Sequence, residues 1–317
     1  MVYILLILSL AGIVYGADYL VAGSVAVARR YRISDFVIGA AIVGIGTSMP
    51  ELTVSFLGAL QGNSEVAIGN VVGSNIFNIL GILGLTALFF PISVTKANLK
   101  FEIPVCILVS ILLTLLTFNF FTGGYGTLSR PDGWLLLLVF AGFMWYSFYN
   151  DRKNPVIDNA TNEAAPESPI WISILKIAGG LTLLILSCDI FIDNAVTVAR
   201  KLGLSDAFIS ITLIACGTSL PELAASITAA VKKNTQLALG NILGSNIFNI
   251  CLILGLSSQV TPLSSPDIPL RDYIWMIGAA VAPLILGLKG KISRISGALM
   301  FVLYIVYTWS LLMQQIS

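Results

Sequence analysis

The chain has 317 residues, 57% of them hydrophobic and only 10% charged, with a formal net charge of +1. Soluble domains carry about 25% charged residues, so a water-soluble globular domain is excluded and a lipid-embedded chain is implied. The near balance of 17 basic and 16 acidic residues offers no basic surface for nucleic acid, and there is no histidine to act as a general base or transition-metal ligand.

Apolar runs long enough to cross about 30 Å of hydrocarbon recur along the whole chain, near residues 3–28, 35–60, 65–90, 101–121, 133–149, 170–199, 206–231, 235–259, 271–288 and 294–314. The predicted fold is an all-α polytopic membrane protein of ten transmembrane helices. The first run has no Lys or Arg before it and carries Asp18, so it is read as a retained helix rather than a cleaved leader. The second opens on Ser34-Asp35, an N-cap signature, and contains Gly46-Thr47-Ser48-Met49-Pro50-Glu51; the third carries Asn70, Ser74 and Asn78 at intervals of four. Between the fifth and sixth runs lies a polar stretch rich in Asn, Asp, Glu and Pro. It is read as a connector at 150–169 that separates a first unit, 1–149, from a second, 170–317.

In the second unit the pattern returns. Ser205-Asp206 precedes the seventh run, Gly217-Thr218-Ser219-Leu220-Pro221-Glu222 lies within it, and Asn241, Ser245 and Asn249 line the eighth. Asp18–Leu85 aligns without a gap on Asp189–Leu256, with about 31 identities in 68 positions. Five runs per unit is an odd number, so the second copy enters the membrane from the opposite face. Inverted repeats of this kind place a transport site near the midplane where the copies meet. Alternate loops divide the basic residues twelve to four; the positive-inside rule then puts both termini outside and the 150–169 connector in the cytoplasm of a cell-membrane protein.

The duplicated polar signature carries the chemistry. Gly44, Thr47, Ser48, Glu51 and Ser55 are three or four residues apart, as are Ala215, Thr218, Ser219, Glu222 and Ser226, so each set lines one helix face. Pro50 and Pro221 lack an N–H and bend the chain there, freeing backbone carbonyls around Thr47 and Thr218. A carboxylate at a bilayer centre costs at least about 2.5–3.5 kcal/mol, which makes a duplicated pair of glutamates a functional site. The donors are all hard oxygens, suited to Ca²⁺ and Na⁺ and unsuited to zinc or copper. Asn78 and Asn249 are expected to face the glutamates, giving amide N–H to the carboxylates or carbonyl oxygen to a cation or water.

Other features read as structure. Asn75 and Asn246 are interhelical, Asp18 and Asp189 pair or snorkel, and Trp134, Trp145, Trp171 and Trp275 are interface anchors. Cys106, Cys188, Cys216 and Cys251 lie in apolar runs with no metal-ligand spacing and are read as packing residues.

The paired GTS[ML]PE and GSNIFN stretches resemble the two alpha-repeats of the cation/Ca²⁺ exchanger superfamily, in particular its prokaryotic Na⁺/Ca²⁺ exchangers. The resemblance covers the core of both halves. It implies exchange of about three Na⁺ for one Ca²⁺ by alternating access, with sliding of the first and sixth helices, whose Gly16, Gly23, Gly179 and Gly180 permit it. By position, Glu51 and Glu222 become the main Ca²⁺ carboxylates, completed by the carbonyls of Thr47 and Thr218. The carbonyls of Gly44 and Ala215, with Ser48, Ser219, Ser74 and Ser245, become the flanking Na⁺ sites. Potassium-dependent relatives carry Asp where this chain has Asn249, so K⁺ independence is implied. With two central acids, one Ca²⁺ is neutralised and three Na⁺ leave one excess charge, so exchange is expected to be electrogenic. The same site could serve H⁺/Ca²⁺ or other divalent exchange; an intramembrane enzyme using the two glutamates as an acid/base pair is the remote alternative, disfavoured by their symmetry. No cofactor and no obligate protein partner is expected beyond the transported ions and lipid, and the unit is read as a possible monomer.

Overall fold

The computed structural model describes residues 2–119, 124–153, 169–202 and 217–316, apart from Ser265 and Asp267. It is an all-α membrane protein. Its helices are α1 (Val2–Tyr31), α2 (Asp35–Thr47), α3 (Met49–Leu60), α4 (Ser64–Phe89), α5 (Asn98–Thr117), α6 (Arg130–Lys153), α7 (Ile170–Lys201), α8 (Leu220–Val231), α9 (Thr235–Val260), α10 (Leu270–Leu286) and α11 (Arg294–Ile316). Among the described residues, seven helices are long and apolar enough to cross a membrane, and α2 with α3 makes an eighth span bent by 50°. Helix α8 has only 12 residues and α10 has 17. The N-terminal part of the run expected at 206–231, including Ser205-Asp206, Ala215 and Cys216, lies outside the described residues, as does most of the 150–169 connector. The fourth run, expected at 101–121, starts earlier and ends at Thr117, where the chain turns into a two-residue strand.

Short antiparallel pairs join helix ends: Ile92–Ser93 with Lys291–Ile292, Phe118–Asn119 with Gly124–Tyr125, and Thr127–Leu128 with Leu263–Ser264. The first and third tie the two sequence halves together.

Helices α4 and α9 form the centre. In their most apolar windows 83% and 94% of residues are buried, against 22% in α6 and α7. The outer helices turn large apolar side chains outward, among them Ile4, Leu138, Trp145, Leu175 and Trp309, the surface a chain in hydrocarbon presents. Trp134, Trp145 and Trp171 are exposed in this way, whereas Trp275 is partly buried, its ring 5.5 Å from that of Tyr307.

Apolar burial does not hold helices together in lipid, so close packing does. Helix α9 approaches α2 through Gly240 and Gly244, where an added methyl would run into the backbone of Phe36 and Ala40. Gly240→Ala should therefore cost about 1–3 kcal/mol. Gly278→Ala, whose methyl would meet nothing within 4 Å, should be neutral or gain up to about 1 kcal/mol. Unfolding of the detergent-solubilised variants checks both, and equal behaviour would contradict the packing account.

Helices α1 and α7 pack along each other, with Gly16 against Gly180 and Leu184 and Gly23 against Ser173 and Ile177. Gly179, expected to share this contact, instead faces open space. Asp18 pairs with Lys232 at 2.6 Å, joining α1 to the end of α8. Its repeat mate Asp189 forms no ion pair among the described residues, because Gln61 stands where Lys232 stands in the other half.

Candidate cation site

The first proline-bearing signature breaks its helix as expected, and the second opens α8. Ser48, between α2 and α3, has φ −83° and ψ 11°; Ser219, before α8, has φ −92° and ψ 9°. Each signature places a serine hydroxyl just before a helix and a glutamate in that helix's first turn. Ser34 caps the start of α2, its hydroxyl accepting the Val37 N–H at 3.3 Å.

The two signatures meet crosswise. Ser48 donates to Glu222 Oε1 at 2.6 Å, and Ser219 donates to Glu51 Oε1 at 2.8 Å. The hydroxyl of Thr47 donates to the Gly44 carbonyl at 3.4 Å and to Asn241 Oδ1 at 3.3 Å. Both glutamates, Thr47, Ser48 and Ser219 are fully buried, and the two carboxyl groups interact with each other. They converge inside the protein, away from the lipid.

Further contacts repeat in register across the halves. Asn70 donates to the Glu51 carbonyl at 3.2 Å and to Ser55 Oγ at 3.0 Å; Asn241 does the same to Glu222 at 3.2 Å and Ser226 at 2.8 Å. The Gly44 carbonyl accepts from Ser245 Oγ at 3.2 Å and Thr47 Oγ1 at 3.4 Å. Ser74 is buried at 3% exposure.

Of the two roles open to Asn78 and Asn249, amide donor to the carboxylates or carbonyl donor to a cation or water, the first is not taken up. Their amide groups do not serve the carboxylates: Asn78 donates to Asn246 Oδ1 at 3.0 Å, and Asn249 donates to Asn75 Oδ1 at 3.1 Å. Asn75 and Asn246 in turn donate to each other's backbone carbonyls at 3.2 and 3.0 Å. The reason is local. Both GSNIFN stretches run into π-helical turns, Phe77–Leu83 and Asn249–Ile253, which rotate these side chains relative to a regular α-helix. The π-turn bearing Asn78 packs on α8, and that bearing Asn249 packs on α3. Asn75 and Asn246 therefore do more than join helices; they orient the carbonyl oxygens of Asn78 and Asn249. The repetition of the whole GSNIFN motif, rather than of its second Asn alone, was the signal for this.

Four buried acceptor atoms in this centre have no hydrogen-bond partner: Glu51 Oε2, Glu222 Oε2, Asn78 Oδ1 and Asn249 Oδ1. The other oxygen of each glutamate is held by a serine and the amide nitrogen of each asparagine by the opposite repeat, which leaves these four oxygens free. Orphaned buried oxygens cost free energy unless something positive meets them, and hard anionic and amide oxygens are the ligand type for Ca²⁺.

Cys106, Cys188 and Cys251 are free and buried. No group of three or more metal-type ligands involving Cys occurs among the described residues.

Comparison with known proteins follows the same lines. The model of the family described as sodium/calcium exchanger protein matches residues 1–149 and 172–313. The chain is 36% identical to the inner membrane protein YrbG of Escherichia coli, over 86% of this chain and 84% of that one. It is 30% identical to the sodium/calcium exchanger MaX1 of Methanosarcina acetivorans, over 96% and 97%. Its fold matches the sodium-calcium exchanger NCX_Mj in crystals with zero Na⁺ and Ca²⁺, with a TM-score of 0.83 at 32% identity over 98% of both chains. The relatives named for an activity are exchangers rather than enzymes, and their substrates are the ions themselves. With both halves matched and full-length relatives at 30% identity or more, this chain belongs to the sodium/calcium exchanger family, whose members carry out cation/Ca²⁺ exchange.

Proposed function

We propose that the chain is a Na⁺/Ca²⁺ antiporter that binds either one Ca²⁺ or about three Na⁺ at the Glu51–Glu222 centre and exposes it alternately to the two sides of the membrane. The observation that carries this reading is the set of four inward, acceptor-only oxygens from Glu51, Glu222, Asn78 and Asn249. Thr47 and Thr218 carbonyls complete the Ca²⁺ shell in this reading. The Gly44 and Ala215 carbonyls and the hydroxyls of Ser48, Ser219, Ser74 and Ser245 take the Na⁺ ions beside it.

Charge enforces exchange. Two carboxylates balance one Ca²⁺, and both loads together would leave several uncompensated positive charges in a low-dielectric interior. Without a cation, two buried carboxylates repel, so the unloaded protein resists switching. Three Na⁺ against one Ca²⁺ moves one net charge per cycle, and with an amide rather than an acid at Asn249 no K⁺ is needed.

Ten spans in two inverted five-helix units, divided at 150–169, fit this reading. Contacts such as Ser48–Glu222 and Ser219–Glu51 are each other's counterparts under the sequence repeat, as a pseudo-twofold axis requires. The distribution of Lys and Arg favours a cell-membrane orientation with both termini outside.

Liposomes test it. Ca²⁺ uptake should follow an outward Na⁺ gradient without K⁺. An inside-positive potential should accelerate it, because one net positive charge leaves per Ca²⁺ entering, worth about 2.3 kcal/mol per 100 mV. Uptake driven only by a pH gradient would replace Na⁺ coupling with H⁺ coupling, and indifference to potential would remove the three-to-one ratio.

A further inference from the structure

The two repeats are not in the same arrangement. Helix α1 packs along α8, whereas its repeat mate α7 makes no comparable contact with α3, the mate of α8, among the described residues. An ion pair fastens the α1–α8 contact. Lys232, which caps the C-terminus of α8, reaches Asp18 Oδ1 at 2.6 Å and donates to the Asp18 carbonyl at 3.3 Å. A cation is favoured at a helix C-terminus, where the carbonyls of the last turn point outward, so the ammonium is well placed for both helices.

The second copy of this device is only half built. Asp18 becomes Asp189 under the repeat, and Lys232 becomes Gln61. The backbone presents the two positions alike. Gln61 has φ −83° and ψ 2°, Lys232 has φ −75° and ψ 9°, and the next residue is left-handed in both halves, Gly62 at φ 75° and Lys233 at φ 62°. Asn63 and Asn234 then cap the following helices, their side chains accepting the Val66 and Leu237 N–H groups at 3.4 and 3.1 Å. What differs is charge: one half has an amide where the other has an ammonium.

We propose that Asp18 and Lys232 form a one-sided latch, which favours the arrangement described here over the one in which the two repeats have exchanged roles. This rests on the alternating-access reading above, since rocking inverted repeats about a pseudo-twofold axis gives two states in which each repeat takes the other's arrangement. In the exchanged state α7 packs along α3 and Asp189 meets Gln61, whose neutral amide offers no ion pair. The bias is modest. The side chains of Lys232 and Asp18 are 34% and 51% exposed, and such pairs shift an equilibrium by roughly two- to fivefold. A cation arriving from one face binds only the state open to that face, so its apparent affinity follows the population of that state. The latch thus sets the ratio of half-saturating Ca²⁺ concentrations on the two faces without touching the ion site.

Na⁺-driven ⁴⁵Ca²⁺ uptake into vesicles holding the full-length protein in one orientation, and into vesicles holding it in the other, measures this ratio. Asp18→Asn should shift it by roughly two- to fivefold. Gln61→Lys, at an exposed helix end, should shift it in the same direction by a similar factor, because it completes the pair of the exchanged state. The two substitutions together should shift it furthest, and the charge exchange Asp18→Lys with Lys232→Asp should return it toward the parent's. If Asp18→Asn fails to fold, Gln61→Lys carries the test, since it removes no contact of the latch. An unchanged ratio, shifts of opposite sign, or an equal loss of affinity on both faces would overturn the latch and leave the exchange reading intact. A parent without Na⁺-driven uptake would count against exchange itself, and the latch would fall with it.

Discussion

Replacing Glu51 or Glu222 singly by Gln is expected to abolish Ca²⁺ transport. The change is nearly isosteric, and the amide oxygen still accepts from Ser219 or Ser48, which hold the parent carboxylates at 2.8 and 2.6 Å. What is lost is charge. A Ca²⁺ ion facing one remaining carboxylate is left with an uncompensated positive charge in a fully buried centre. Breaking one side of a buried charge pair costs about 3–5 kcal/mol, equivalent to roughly 10²–10⁴-fold in affinity. Because the two halves contribute equivalent contacts, both variants should fail to a similar degree. ⁴⁵Ca²⁺ uptake into Na⁺-loaded liposomes, with size-exclusion profiles to confirm folding, provides the check. Near-normal flux in either variant would take that glutamate out of the site.

The second large effect concerns Asn249. In the parent its amide donates to Asn75 Oδ1 at 3.1 Å and its carbonyl oxygen is left for the centre. Asn249→Asp keeps the shape and changes two things. An ionised carboxylate cannot donate to Asn75, and it adds a third negative charge that one Ca²⁺ does not balance. A protonated carboxyl can do both jobs of the amide. Transport by this variant should therefore be near the parent's at about pH 6 and fall by roughly 10²-fold at higher pH, the penalty of one unbalanced charge at about 2.5–3.5 kcal/mol. A co-bound K⁺ that restores flux at high pH would fit the same arithmetic. Uptake assays between pH 6 and 8, with and without K⁺, measure this, and a variant whose dependence on pH and K⁺ matches its parent's would show that residue 249 does not face the ions.

Much of this centre is legible in the sequence because helical spacing is a short-range property. Thr47, Ser48 and Glu51 share a face by their intervals, and Pro50 locates the break, so the 50° bend and the buried position of Glu51 follow. The duplication extends the same reasoning to Thr218, Ser219 and Glu222. What is not legible is the pairing across halves. Nothing in the spacing says that Ser48 serves Glu222 rather than Glu51. The π-turns at Phe77–Leu83 and Asn249–Ile253 are equally silent, since one residue of extra winding leaves no periodic trace. They redirect the amides of Asn78 and Asn249 from the carboxylates to Asn246 and Asn75.

The most direct test of the central claim is a pair of diffraction data sets from crystals of this protein, one grown with Sr²⁺ or Ca²⁺ and one with Na⁺ in large excess. With the divalent ion, one peak should lie between Glu51 Oε2 and Glu222 Oε2, at about 2.3–2.6 Å for Ca²⁺, with Asn78 and Asn249 Oδ1 facing it directly or through water. Excess Na⁺ should erase that peak and replace it with weaker density beside the Gly44 carbonyl and the serine hydroxyls. A divalent ion bound away from both glutamates, or one that persists between them beside a full complement of Na⁺, would contradict a single centre that holds one load or the other.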